Sequence, residues 1–172
     1  MRRLAVIAAL GTLLGMSLGV VTTSPALARG PQWELLQAQP FTVPATSCGF
    51  EVGVTFPTFT EFLKVLKTSD GSMTFLVTGS VIVTYTNLAT GKNITENESG
   101  PGTVTELSDG SITFRGAGIG GIFLSPEDAQ RFGLPTVGVI TGTLRGSVAA
   151  DGTITSLSLD GDVLVDVCAA LS

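Results

Sequence analysis

The chain has 172 residues, with 14 acidic side chains against 9 basic ones, no histidine and a formal net charge of −5. That balance argues against nucleic acid as a partner, because phosphate contacts need clustered Lys and Arg. The missing imidazole removes the usual general base and the commonest metal ligand.

The N-terminus reads as a secretory signal. Arg2 and Arg3 supply a positive start, residues 4–21 are apolar, Ser24-Pro25 breaks the run, and Ala26-Leu27-Ala28 gives the small-x-small pattern before a cut. An uncleaved anchor helix is the alternative, since the apolar run is nearly long enough to span a bilayer. The glycines within it and the cleavage pattern favour removal near Ala28. The expected product is secreted, and past residue 28 no apolar run approaches membrane length. Residues 29–172 suit one domain large enough to hold a core. With Arg2 and Arg3 gone, 7 basic residues face 14 acidic ones.

Residues 29–46 read as an arm, broken by Pro31, Pro40 and Pro44, which Trp33, Leu35 and Leu36 would fasten to the body. The body, 47–172, is rich in Thr and Val and punctuated by glycine, the texture of strands and turns. Residues 48–56 form an expected strand ended by Pro57. Residues 62–67 form another: Phe59, Phe62, Leu63 and Leu66 also fit helical spacing, but the Asp70-Gly71 turn follows at once. Residues 73–88 alternate, with Phe75, Val77, Val81, Val83 and Tyr85 on one face and a bend expected at Gly79. Thr90-Gly91-Lys92 turns into a strand at 93–99, and Gly100-Pro101-Gly102 makes the next turn. Strands at 103–107 and 111–117 flank Asp109-Gly110, and an apolar piece follows at 119–124.

Ser125-Pro126-Glu127-Asp128 opens a short helix near 126–132, with Ser125 as cap, Pro126 at the first helical position and Gly133 as its stop. Strands at 136–149 and 153–167 flank Asp151-Gly152. In the second of these, Leu157, Leu159, Val163, Val165 and Val167 share one face opposite Ser156, Ser158, Asp160, Asp162 and Asp166.

Cys48 and Cys168 are the only cysteines. In an oxidising compartment they are expected to pair, closing a loop of about 120 residues. Cys48 opens the first expected strand and Cys168 follows the last. In an up-and-down barrel of about eight strands those ends are neighbours, so the bridge favours an antiparallel all-β closed barrel. A two-sheet β-sandwich is the alternative.

No motif assigns chemistry. Gly116-Ala117-Gly118-Ile119-Gly120-Gly121 matches a dinucleotide-binding pattern, but such a site needs a helix on its last glycine, and Ile122-Phe123-Leu124 reads as strand. The paired carboxylates Glu96/Glu98 and Asp160/Asp162 read as solvated faces rather than a Ca²⁺ or hydrolytic site. Without His, serine catalysis lacks its base. No metal or cofactor is expected. Tyr85, Arg115 and Arg145 are candidates to line a cavity.

The segment 86–92, then Ser99-Gly100-Pro101-Gly102, Asp109-Gly110-Ser111 and the ending Asp166-Val167-Cys168-Ala169-Ala170-Leu171, resembles a family of small secreted actinobacterial β-rich proteins with no assigned function. The shared features are turns and a disulfide, so the resemblance implies architecture and no chemistry. The expectation from sequence is therefore a non-enzymatic barrel that binds a small apolar ligand or an envelope component. The alternatives are a cyclase-like enzyme using the barrel interior and an interaction or inhibitor module presenting loops 93–102 or 125–135.

Overall fold

The computed structural model describes residues 32–172, so the signal reading of 1–28 lies outside the described residues. The elements run β1 (Trp33–Leu35), β2 (Phe41–Val43), α1 (Ala45–Cys48), β3 (Val52–Lys67), β4 (Met73–Asn87), β5 (Asn93–Asn97), β6 (Gly102–Glu106), β7 (Ile112–Phe123), α2 (Pro126–Phe132), β8 (Val137–Val148), β9 (Ile154–Asp166) and α3 (Val167–Leu171). The nine strands form one antiparallel sheet in the order β1-β3-β4-β6-β7-β8-β9, with β2 also on β3 and β5 also on β4.

The all-β reading holds, but the closed barrel does not. No ladder among the described residues joins β9 to β1, β2 or β3. Cys48 and Cys168 do pair, with Cα atoms 5.0 Å apart. However, Cys48 ends α1 and Cys168 lies in α3, so the bridge ties two short helices at the sheet's ends and not two neighbouring strands. The sheet is nonetheless strongly curled. Phe41 of β2, beyond one edge, packs edge-to-face on Phe123 of β7 with ring centroids 5.4 Å apart, and Tyr85 of β4 lies 6.2 Å from the same ring. One apolar cluster accordingly gathers Val52 and Val54 of β3, Val81 and Val83 of β4, Val137 and Val139 of β8, and Val167 and Leu171 of α3. Asn87 helps to seat α3 by donating from Nδ2 to the Leu171 carbonyl at 3.1 Å.

The turns follow the sequence signals. In each Asp-Gly turn the aspartate Oδ1 accepts the N–H two residues on, from Ser72 at 3.0 Å, Ser111 at 2.8 Å and Thr153 at 2.8 Å. The helix α2 is capped as expected: Ser125 Oγ accepts the Asp128 N–H at 3.1 Å, and Gly133 ends the helix in the left-handed region. It covers a second apolar cluster built on Phe114, Ile122, Ile140, Leu144 and Ile154.

Three expectations are corrected. Pro57 does not end a strand: β3 runs through it with a register shift between Thr55 and Thr58. A proline lacks an N–H, and the bulge accommodates that loss. Nor does Gly100-Pro101-Gly102 reverse the chain. β5 pairs with residues 82–86 of β4 and β6 with residues 73–77, so the two are one strand line interrupted at 98–101. The arm expected at 29–46 is fastened, over its described residues 32–46, by backbone pairing on β3 and by Phe41, while Trp33 and Leu35 stay 48% and 58% exposed.

Candidate functional site

The curl of the sheet forms a partly open cavity of about 80 Å³. A water needs roughly 10–15 Å³ of such space, so the cavity has room for several waters or a small organic group. Phe41, Phe56, Phe59 and Phe123 give it aromatic walls, and Glu61, Tyr85 and Glu98 are its titratable groups.

Glu61 faces inward because of the bulge at Pro57. Before it Val52, Val54 and Phe56 point in; after it the parity changes and Phe59, Glu61, Leu63 and Val65 take their places. Glu61 is only 7% exposed, and its Oε2 has no hydrogen-bond partner among the described residues. Its backbone is pressed against Gly79 of β4, where an added Cβ would lie 2.5 Å from Glu61 Cα. Burial pushes the carboxyl up to about 7, because a carboxylate taken from water loses its hydration.

Glu98 enters from the break between β5 and β6. Its N–H binds the Val81 carbonyl at 2.9 Å, and Ser99 Oγ then accepts the Val81 N–H at 3.0 Å, which holds the interrupted chain against β4. Tyr85, fully buried, donates from Oη to Glu98 Oε1 at 2.6 Å. Burial is the main cause that raises Glu98 to about 7, and nearby Glu96 adds to it. The bonds from Tyr85 and from the Gly121 backbone pull the other way. The Tyr85 phenol is raised well above its usual range by burial and by Glu98.

The glycine-rich segment lines the cavity as part of β7, and α2 begins only at Pro126, which leaves no helix terminus for a pyrophosphate. Its glycines make room instead. A Cβ on Gly121 would lie 2.5 Å from Glu98 Oε2 and 2.9 Å from Tyr85 Oη.

Of the candidate residues, Tyr85 lines the cavity. Arg115 and Arg145 do not; they are cross-strand neighbours on β7 and β8 with exposed side chains. Asp160 and Asp162 are exposed on β9, and no cluster of metal-ligating side chains occurs among the described residues. The reading of Glu98 as a residue of a solvated strand face is overturned: it lies just past the end of β5, is partly buried and lines the cavity. Glu61 was missed. The run Phe59-x-Glu61-x-Leu63-x-Val65 carries its signal, an acid in the apolar phase of a strand. No helix among the described residues is long and apolar enough to cross a membrane.

Comparison with protein-family models, with curated proteins and with solved structures finds no match.

Proposed function

We propose that this is a secreted small-molecule-binding β-protein whose interior takes a compact, mostly apolar ligand by one polar group. The observation that carries the reading is Glu61 in the wall of an aromatic-lined cavity, its buried Oε2 without a hydrogen-bond partner among the described residues. Leaving a buried polar atom unmatched costs about 1–3 kcal/mol, a cost that a ligand hydrogen bond would offset. Such pockets typically combine apolar walls with a few convergent polar groups. The disulfide suits an oxidising, extracellular setting. An inhibitor module would need no internal space, so the cavity favours a ligand over a loop-presenting role.

The test is native mass spectrometry of protein purified from culture medium, beside a Glu61→Leu variant. The expected result is a small molecule that co-purifies with the wild type and is lost from the variant. Repeated absence of any bound molecule across expression hosts, with no small apolar compound binding in a ligand screen, would contradict the reading.

A further inference from the structure

Resting on that binding reading, we infer that the cavity is also catalytic: it moves a proton between two carbons of a small β,γ-unsaturated ketone, giving the conjugated isomer. The parts come from separate strands and line the same cavity. Glu61 lies on β3, Tyr85 on β4, and Glu98 on the break between β5 and β6.

The assignment of roles follows from their bonds. No side chain among the described residues ties up Glu61: its Oε2 is buried without a hydrogen-bond partner, and the residue lines the cavity. It is also poised between its two protonation states near neutrality, which suits a group that takes a proton and returns it. Tyr85 and Glu98 are already bonded to each other at 2.6 Å. In the structure Tyr85 donates to Glu98 Oε1; protonation of Glu98 lets this bond reverse, so that the carboxyl O–H donates to Tyr85 Oη and the phenol O–H turns to the ligand carbonyl. A phenol backed by a neutral carboxyl is a strong donor to a developing enolate, because it answers negative charge without being neutralised by it. The aromatic walls supply the apolar surroundings in which that hydrogen bond counts for most.

The step balances without any further reactant. Ionised Glu61 removes a proton from the carbon between the carbonyl and the double bond. The electron pair moves onto the carbonyl oxygen, where Tyr85 stabilises it. Protonated Glu61 then delivers the same proton to the far carbon of the former double bond. One C–H bond breaks and another forms, the double bond moves into conjugation, and Glu61 is regenerated. Arg115 and Arg145 take no part, since neither lines the cavity.

The experiment incubates the disulfide-bonded protein with simple cyclic β,γ-unsaturated ketones. Conjugation is followed by ultraviolet absorbance, binding by saturation-transfer NMR, and label uptake in heavy water. The expected result is isomerisation above the buffer rate, with a loss on the order of 100-fold or more in Glu61→Gln and about 100-fold in Tyr85→Phe. Glu98→Gln, whose amide can still donate to Tyr85, should keep more activity than Glu98→Ala. That ordering separates a positioning role from a merely structural one. Ketones that bind but isomerise no faster than in buffer, or an undiminished rate in Glu61→Gln, would overturn the inference while leaving the binding reading intact. Absence of saturation transfer across the whole series would contradict both.

Discussion

The two apolar clusters of this sheet do different work. The cluster under α2 is built from Val104, Phe114, Ile122, Leu124, Ala129, Ile140, Leu144, Val148 and Ile154, all buried hydrophobics. The other gathers valines, Tyr85 and Leu171 from β2, β3, β4, β8 and α3, and it borders the cavity that holds Glu61 and Glu98. The first region gains stability by close packing. The second carries a buried acid, Glu61, and a partly buried one, Glu98, whose desolvation costs stability, and it is the one cross-linked by Cys48 and Cys168. The covalent tie sits where packing is least sufficient.

Breaking that tie should have the largest effect. The double variant Cys48→Ser/Cys168→Ser removes a constraint on a loop spanning 120 positions, which the chain-entropy account places at about 4–5 kcal/mol. Urea unfolding should show this loss, and hydrogen exchange should show faster opening at α1 and α3 than at α2. Equal acceleration in both regions would remove the contrast. In the packed region, Ile122→Ala should cost about 2–5 kcal/mol, because Ile122 is fully buried and its neighbours cannot collapse freely. The same measurement should leave ligand binding in the cavity largely intact.

The third prediction concerns pH and has a definite sign. Glu61 holds its proton in the folded state up to about pH 7, whereas the unfolded carboxyl ionises near 4.5. Between those values the folded chain binds more protons, so stability falls as pH rises. The contribution of neutral Glu61 is fully present below 4.5 and lost through about 7. At about 1.4 kcal/mol per pKa unit, Glu61→Gln should be roughly 3 kcal/mol more stable than wild type at pH 8 and nearly equal to it at pH 4. A gap independent of pH would show that Glu61 is solvated. The smallest expected effect is Ser125→Ala, about 1 kcal/mol from loss of the α2 cap, read as a shift in the thermal midpoint with no change at the cavity.

These regions also differ in how far the sequence revealed them. The Asp-Gly turns, the alternation of β4 and the capped helix at 126–132 are local signals, set by residues a few positions apart, and the structure bears them out. The cavity depends on departures from regularity. Glu61 turns inward because one bulge at Pro57 reverses the parity of everything after it. Glu98 turns inward because β5 and β6 share β4 as partner and leave a gap between them. Neither pairing is written in local spacing, so a strict alternation placed Glu98 on a wet face and gave Glu61 no place. Closure escapes the sequence for a related reason: the cysteine positions predict a bridge between neighbouring strands, but the cysteines sit on α1 and α3. Arg115 and Arg145 share a register position on β7 and β8, and that common phase points outward.

Glu61, buried, and Glu98, partly buried, line one cavity and are half-ionised near neutrality. Carbon-13 NMR titration of the glutamate carboxyls tests it directly. The account predicts two resonances that titrate near pH 7, one lost in Glu61→Gln and the other in Glu98→Gln. If every glutamate carboxyl instead titrates between about pH 4 and 5, as solvated carboxylates do, the interior site does not exist.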